Sequence, residues 1–241
     1  MRSSVEARKK QACLNPRIPD FLIYVSITTS SPPPMNQASF LILYLALVSC
    51  GSCALPPVQE GDVIFQSTPS RQTRALEIAT GSAYTHVGLI LRERNDWVVY
   101  EAIHPVVMTL LAQWIQRGTG GHYVVKRWTQ AAQLTTESLS KLRTSVQSML
   151  GKNYDARFLW NDDEIYCSEL VWKSYHHALG VELAALVRYR DFDLSHPEVR
   201  KLLEERFRGP VPLEGPVIPP SALFHSPKLV EIARGGKELQ P

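Results

Sequence analysis

From residue 61 onward, short apolar runs alternate with polar turns. Gly61-Asp62-Val63-Ile64-Phe65-Gln66 reads as a short strand, and 71–80 as a helix that stops at Gly81. Segments 85–91 and 97–103 read as strands joined by the polar Arg92-Glu93-Arg94-Asn95-Asp96. Segment 106–115 is apolar enough to be a strand followed by a helical turn, or one helix, and 122–128 reads as a further strand. Over 136–150, Leu139, Leu142, Val146, Met149 and Leu150 fall on one helical stripe, and Gly151 ends it. A second helix runs over 167–179, with Leu170, Val171, Ala178 and Leu179 as core positions and Gly180 as its stop. Beyond Phe207 the chain turns proline-rich. Strands grouped together with helices around them predict an α+β fold and not an alternating parallel sheet.

The first 54 residues follow a different pattern. Residues 1–34 are polar, end in Ser30-Ser31-Pro32-Pro33-Pro34, and read as unstructured or as the product of an upstream start. Met35 opens a new pattern, and 38–48 is nearly all apolar. That run is shorter than the about 20 residues a membrane span needs and fits the apolar region of a signal peptide, although no basic residue precedes it after Met35. Leu47-Val48-Ser49-Cys50 resembles a bacterial lipobox, whose cysteine is lipidated, and Ser52-Cys53-Ala54 resembles an ordinary cleavage site. The expectation is a leader over 35–54, a folded body over 55–241, and export to the bacterial cell envelope. The protein would be anchored there through Cys50 or released as a soluble form.

Composition narrows the chemistry. The 241 residues suffice for one domain, and a net charge of +3 spread without a long basic block gives nucleic-acid binding no support. Of the four cysteines, Cys13, Cys50, Cys53 and Cys167, no set has zinc-ribbon spacing. Cys50 and Cys53 follow an apolar run and do not open a helix, so a redox role for them is weak. His104, His122, His176, His177, His196 and His225 show no metal-ligand spacing, and neither metal nor cofactor is expected.

Cys167 stands where the 167–179 helix begins. A thiol there faces the positive end of the helix dipole, which favours its nucleophilic form. His86 lies on a strand upstream and is a candidate base. Alone, the two residues fit a buried core thiol and a satisfied histidine better, because buried free cysteine is common. Alternation puts His86, Gly88 and Ile90 on one strand face, and Trp97, Val99, Glu101 and Ile103 on one face of the next. A tight turn centred between Glu93 and Arg94 then sets Glu101 directly opposite His86, where it can orient the imidazole. Gly88 is expected to leave open space beside the histidine.

Four motifs in order carry a resemblance: Gly61-Asp62-Val63-Ile64-Phe65, Ala79-Thr80-Gly81-Ser82-Ala83-Tyr84-Thr85-His86-Val87-Gly88, Val99-Tyr100-Glu101-Ala102, and Tyr166-Cys167-Ser168-Glu169-Leu170. Their spacing resembles that of the YiiX/YaeF-like permuted papain-like peptidases of the NlpC-type superfamily. The likeness extends over about 58–227, with Gly151-Lys152-Asn153-Tyr154-Asp155 and Ile218-Pro219-Pro220-Ser221-Ala222-Leu223 included. It implies a circularly permuted papain-like fold, with the nucleophile helix packed on an antiparallel sheet. It implies Cys167 as nucleophile, His86 as base and later acid, and Glu101 as the residue that orients the imidazole. Tyr84 and Ser82 flank the histidine as candidate substrate-binding residues, whereas Glu169 and Tyr166 read as structural. The function implied is a cysteine hydrolase or acyltransferase acting on an amide, ester or thioester of a peptide, cell-wall fragment or lipid-linked acyl group. The competing reading is a non-catalytic envelope lipoprotein that binds a ligand in the same pocket. Expressed from Met35 in a Gram-negative host, the protein should incorporate labelled palmitate, and Cys50→Ala should abolish the label. An unprocessed N-terminus in a cytosolic protein contradicts export.

Overall fold

The computed structural model describes residues 55–70, 72–207 and 209–239. The expected leader with Cys50, and residues 1–34, lie outside them. In chain order the principal elements are β1 (Val63–Gln66), α1 (Thr73–Thr80), β2 (His86–Glu93), β3 (Asp96–Ala102), β4 (Val106–Leu110), α2 (Leu111–Arg117), β5 (Tyr123–Trp128) and α3 (Thr136–Gln147). They continue with β6 (Asn153–Tyr154), β7 (Glu164–Ile165), α4 (Cys167–Leu179), β8 (Val187–Arg188), α5 (Pro197–Arg206), β9 (Pro216–Val217), α6 (Pro220–Phe224) and β10 (Leu229–Gly235). Six strands form one antiparallel sheet in the order β10-β5-β1-β2-β3-β4. The expected α+β class is observed.

The sheet is apolar on both faces. On one, Val63, Phe65, Val87, Leu89 and Tyr100 pack against Leu142 and Val146 of α3 and Leu170, Val171 and Tyr175 of α4. On the other, Ile64, Ile90, Val99 and Val125 are covered by Leu111 and Trp114 of α2. Nine successive residues of α4, Cys167 to Tyr175, are buried, so this helix has no solvent face until its last turn. Its buried polar groups are paired: Ser174 Oγ donates to Leu170 O at 2.7 Å, and Lys173 Nζ meets Asp162 Oδ1 at 2.7 Å and Glu169 Oε1 at 2.9 Å. Gly180 closes α4 in the left-handed region at φ 68°.

Segment 106–115 resolves as a strand followed by a helix, with the change at Leu111. Helix α5 and strand β10 had no clear sequence signature. Helix α5 is short and largely exposed, but His196-Pro197 is a legible start: proline opens the helix, and His196 Nδ1 accepts the Glu198 N–H at 3.3 Å. A bulge between Glu231 and Ala233 breaks the period-two alternation of β10.

Two expectations about the β2–β3 hairpin are corrected. The observed pairs are Leu89↔Tyr100, Arg92↔Trp97 and Glu93↔Asp96, so the turn is Arg94-Asn95, with Arg94 taking φ 54°. Extended along the strands, this register sets Glu101 against Gly88 and not against His86. The shift is two residues, which keeps every side chain on its expected face. Gly88 does not leave open space. A Cβ there would come 2.3 Å from Val99 Cγ1 and 3.0 Å from Tyr100 O, so the glycine permits β3 to pack closely beside it.

Candidate active site

The site is built around Glu101, which is fully buried. Its carboxylate accepts from His86 Nε2 at 2.7 Å, from Trp114 Nε1 at 3.0 Å, from Thr109 Oγ1 at 2.5 Å and from Arg117 Nη2. Alternation on β4 puts Thr109 on the Glu101 side of the sheet, and a three-residue helical step puts Trp114 and Arg117 on one face of α2. The element that covers this face therefore also supplies donors to the buried Glu101 carboxylate. Trp114 stacks on His86 as well, with ring centres 5.8 Å apart.

Cys167 reaches the histidine from the other side. Helix α4 packs on the face of Val87 and Leu89, opposite to that of His86 and Glu101. His86 is the first residue of β2, so its ring sits at the end of the sheet, and Cys167 in the first turn of α4 lies near enough to raise its proton affinity. With Nε2 engaged by Glu101, Nδ1 is the ring nitrogen that remains for the sulfur. Burial works against charge on His86, but hydrogen bonds to Cys167 and Glu101 and their charges outweigh it and raise the imidazole to about 9. Burial likewise works against ionised Glu101. The bond to His86 and its charge, aided by Arg117 and Thr109, outweigh it and hold the carboxyl at about 2.

The residues beside Cys167 fix its backbone. Tyr166 Oη accepts the Ile218 N–H at 3.0 Å, and Ser168 Oγ donates to Ile218 O at 2.6 Å. The proline-rich tail is thereby bonded to both neighbours of the thiol. Glu169 Oε2 accepts the Tyr166 N–H at 3.4 Å, a cap at the start of α4. Tyr166 and Glu169 are thus placed in the structural roles expected of them.

Tyr84 lines a groove whose wall includes Cys167. It stacks on Phe224 with ring centres 4.0 Å apart, and its hydroxyl meets His122 Nε2 at 3.2 Å. Ser82 is not among the groove residues; its Oγ accepts the Tyr84 N–H at 3.2 Å and braces the turn. Sequence reasoning gave no role to Thr109, Trp114, Arg117 or Tyr154. Tyr154 is half-buried near the thiol: desolvation raises its phenol, the Cys167 charge adds to this, and Arg206 opposes it.

The two shifts give the site a pH signature. Glu101, lowered from 4.5 to about 2, stabilises the fold fully above pH 4.5, and this is lost as pH falls toward 2. His86, raised from 6.5 to about 9, stabilises fully below pH 6.5, and this is lost as pH rises through 9. The urea midpoint should therefore be highest between pH 4.5 and 6.5 and fall on both sides. In His86→Ala the fall between 6.5 and 9 should be absent; an unchanged upper limb would show that another group causes it.

Residues 57–233 match the family model described as permuted papain-like amidase enzyme, YaeF/YiiX, C92 family. YiiX of Escherichia coli strain K12 is 41% identical over 194 residues, which cover 80% of this chain and 95% of that protein. A solved structure described as metalloprotein yiiX from Escherichia coli O157:H7 shares 41% identity and a TM-score of 0.70, over 74% of this chain and 98% of that one. The antiparallel sheet, the buried helix that begins at Cys167 and the histidine that precedes it in the sequence agree with that likeness. The chain belongs to the YaeF/YiiX family of permuted papain-like amidases, the C92 family, and is a cysteine hydrolase in the general sense that the family defines.

Proposed function

We propose that Cys167, His86 and Glu101 act together as nucleophile, proton carrier and orienting carboxylate in the cleavage of an amide or ester through an acyl-cysteine intermediate. The observation that carries this reading is the His86 ring, bonded through Nε2 to the buried Glu101 carboxylate, with Cys167 near it at the start of α4. His86 already carries the proton, and the sulfur paired with it bonds to the substrate carbonyl carbon as the carbonyl electrons move to oxygen. First-turn amides of α4, which have no acceptor within the helix, face that developing charge. Collapse breaks the bond to the amine or alcohol, which leaves with the proton from His86. His86 then takes a proton from water, whose oxygen attacks the thioester and frees the acid and the sulfur. An alcohol or amine in place of water gives acyl transfer by the same steps.

The metal named in the description of the O157:H7 relative belongs to that protein. Among the described residues of this chain, no three of histidine, cysteine, aspartate and glutamate converge as ligands. Three of the four donors to Glu101 share Oε2 and the fourth takes Oε1, and one of them is a guanidinium that already neutralises the carboxylate. The residues present do not fit a metal at this site, and no step is routed through one. Delivery to the cell envelope, through lipid on Cys50 or as a secreted form, remains part of the same reading and rests on the leader pattern.

With an activated ester as substrate, Cys167→Ala should lose turnover. Intact-mass measurement of the wild type should trap the acyl group on the protein and find none on the variant. His86→Ala should lose roughly 10²–10⁴-fold in kcat/KM. Glu101→Ala should lose less, because it orients the base and does not move the proton. Turnover retained by Cys167→Ala, or a larger loss at Glu101 than at His86, contradicts the assignment.

A further inference from the structure

Gln66 is the last residue of β1, and its Cα pairs with that of His86 on β2. Paired residues of antiparallel strands point to the same face, with Cβ atoms about 5 Å apart. That face is the one of Ile64 and Ile90, under α2. In the sheet β2 lies between β1 and β3, so Gln66 flanks the histidine on the side away from Glu101. It is fully buried, yet neither Oε1 nor Nε2 has a partner among the described residues. An amide without partners in such a place costs stability that an apolar side chain of the same length does not.

The end of α2 makes room for this amide. Gly118 follows Arg117, and its φ of −66° and ψ of 153° are open to any residue. A Cβ there would lie 2.4 Å from Gln66 Oε1 and 3.1 Å from His122 O. Space for the Gln66 amide, and not the backbone conformation, thus accounts for the glycine. Around the imidazole, Nε2 is bonded to Glu101, Trp114 stacks on the ring, and Cys167 raises its proton affinity. The charged groups that act there are Glu101 of β3 and Cys167 of α4, with Arg117 of α2 sharing the carboxylate. Strand β1 contributes only the amide. With neither end bonded, that amide can turn about its terminal torsion and present its oxygen to the ring, a contact that favours the charged ring over the neutral one.

We propose that Gln66 is a positioning residue for His86, whose buried amide holds the imidazole in the charged state from which the leaving group takes its proton. The inference rests on His86 as the proton carrier and adds the residue that supports it from β1.

Gln66→Met keeps the length of the side chain and removes its polarity. The NMR midpoint of the His86 ring should fall by about 0.5–1 pH unit in this variant. The alkaline limb of kcat/KM for an activated ester should move down with it, with little change at pH 6.5, where the ring is charged in both proteins. Gly118→Ala crowds the same amide without altering Gln66; it should move midpoint and limb in the same direction, and it decides the matter if Gln66→Met does not fold. A ring midpoint that does not fall overturns the assignment of Gln66 and leaves His86 as the proton carrier. Looser packing alone gives that result, with activity lowered alike at every pH. A midpoint that falls while the alkaline limb stays in place upholds the action of the amide on the ring and overturns His86 as the proton carrier.

Discussion

The structure turns on one buried carboxylate. Glu101 has no contact with solvent, and ionised it is tolerable there only because His86, Thr109, Trp114 and Arg117 all donate to it. Those four donors come from β2, β4 and α2. The position of α2 on the sheet and the tilt of the imidazole are therefore set by the same atom group. Removing one partner of such a pair leaves the others without compensation, which typically costs about 3–5 kcal/mol. The carboxylate thus fixes the fold of this face and the geometry of the site.

The sheet end brings two differently built halves together. One half is polar, saturated with hydrogen bonds and covered by α2. The other is α4, buried on all sides through its first nine residues and bonded on either side of Cys167 to the backbone of Ile218. That bonding couples the proline-rich tail to the nucleophile across about 50 residues of sequence. Apolar packing places the helix, and hydrogen bonds fix the last ångström at its start. The groove opens on this second half, and its wall is mostly apolar.

The strands, α3 and α4 were legible because their signals are local: period-two alternation, a helical stripe, and glycine stops at Gly81 and Gly180 that do take the left-handed conformation. The facing of His86 and Glu101 was legible too, since parity survives a register error of two residues. The register itself was not, because Arg94 enters the left-handed region without being glycine or asparagine, and nothing local marks it. Thr109, Trp114 and Arg117 were hidden by the ambiguity over 106–115. Only once the helix is known to start at Leu111 do Trp114 and Arg117 share a face. Tyr154 had a motif around it but no local reason to face a thiol, and the groove arises from α1 and α5, which are far apart in sequence.

The most direct test of the account is the titration of the His86 ring nitrogens by NMR, in the wild type and in Cys167→Ala. A ring clamped between Glu101 and the thiol should remain imidazolium up to about pH 9, and removal of the sulfur should lower that midpoint. A midpoint near the ordinary 6.5 in the wild type, or one that Cys167→Ala leaves unmoved, would show that His86 does not bridge the two groups.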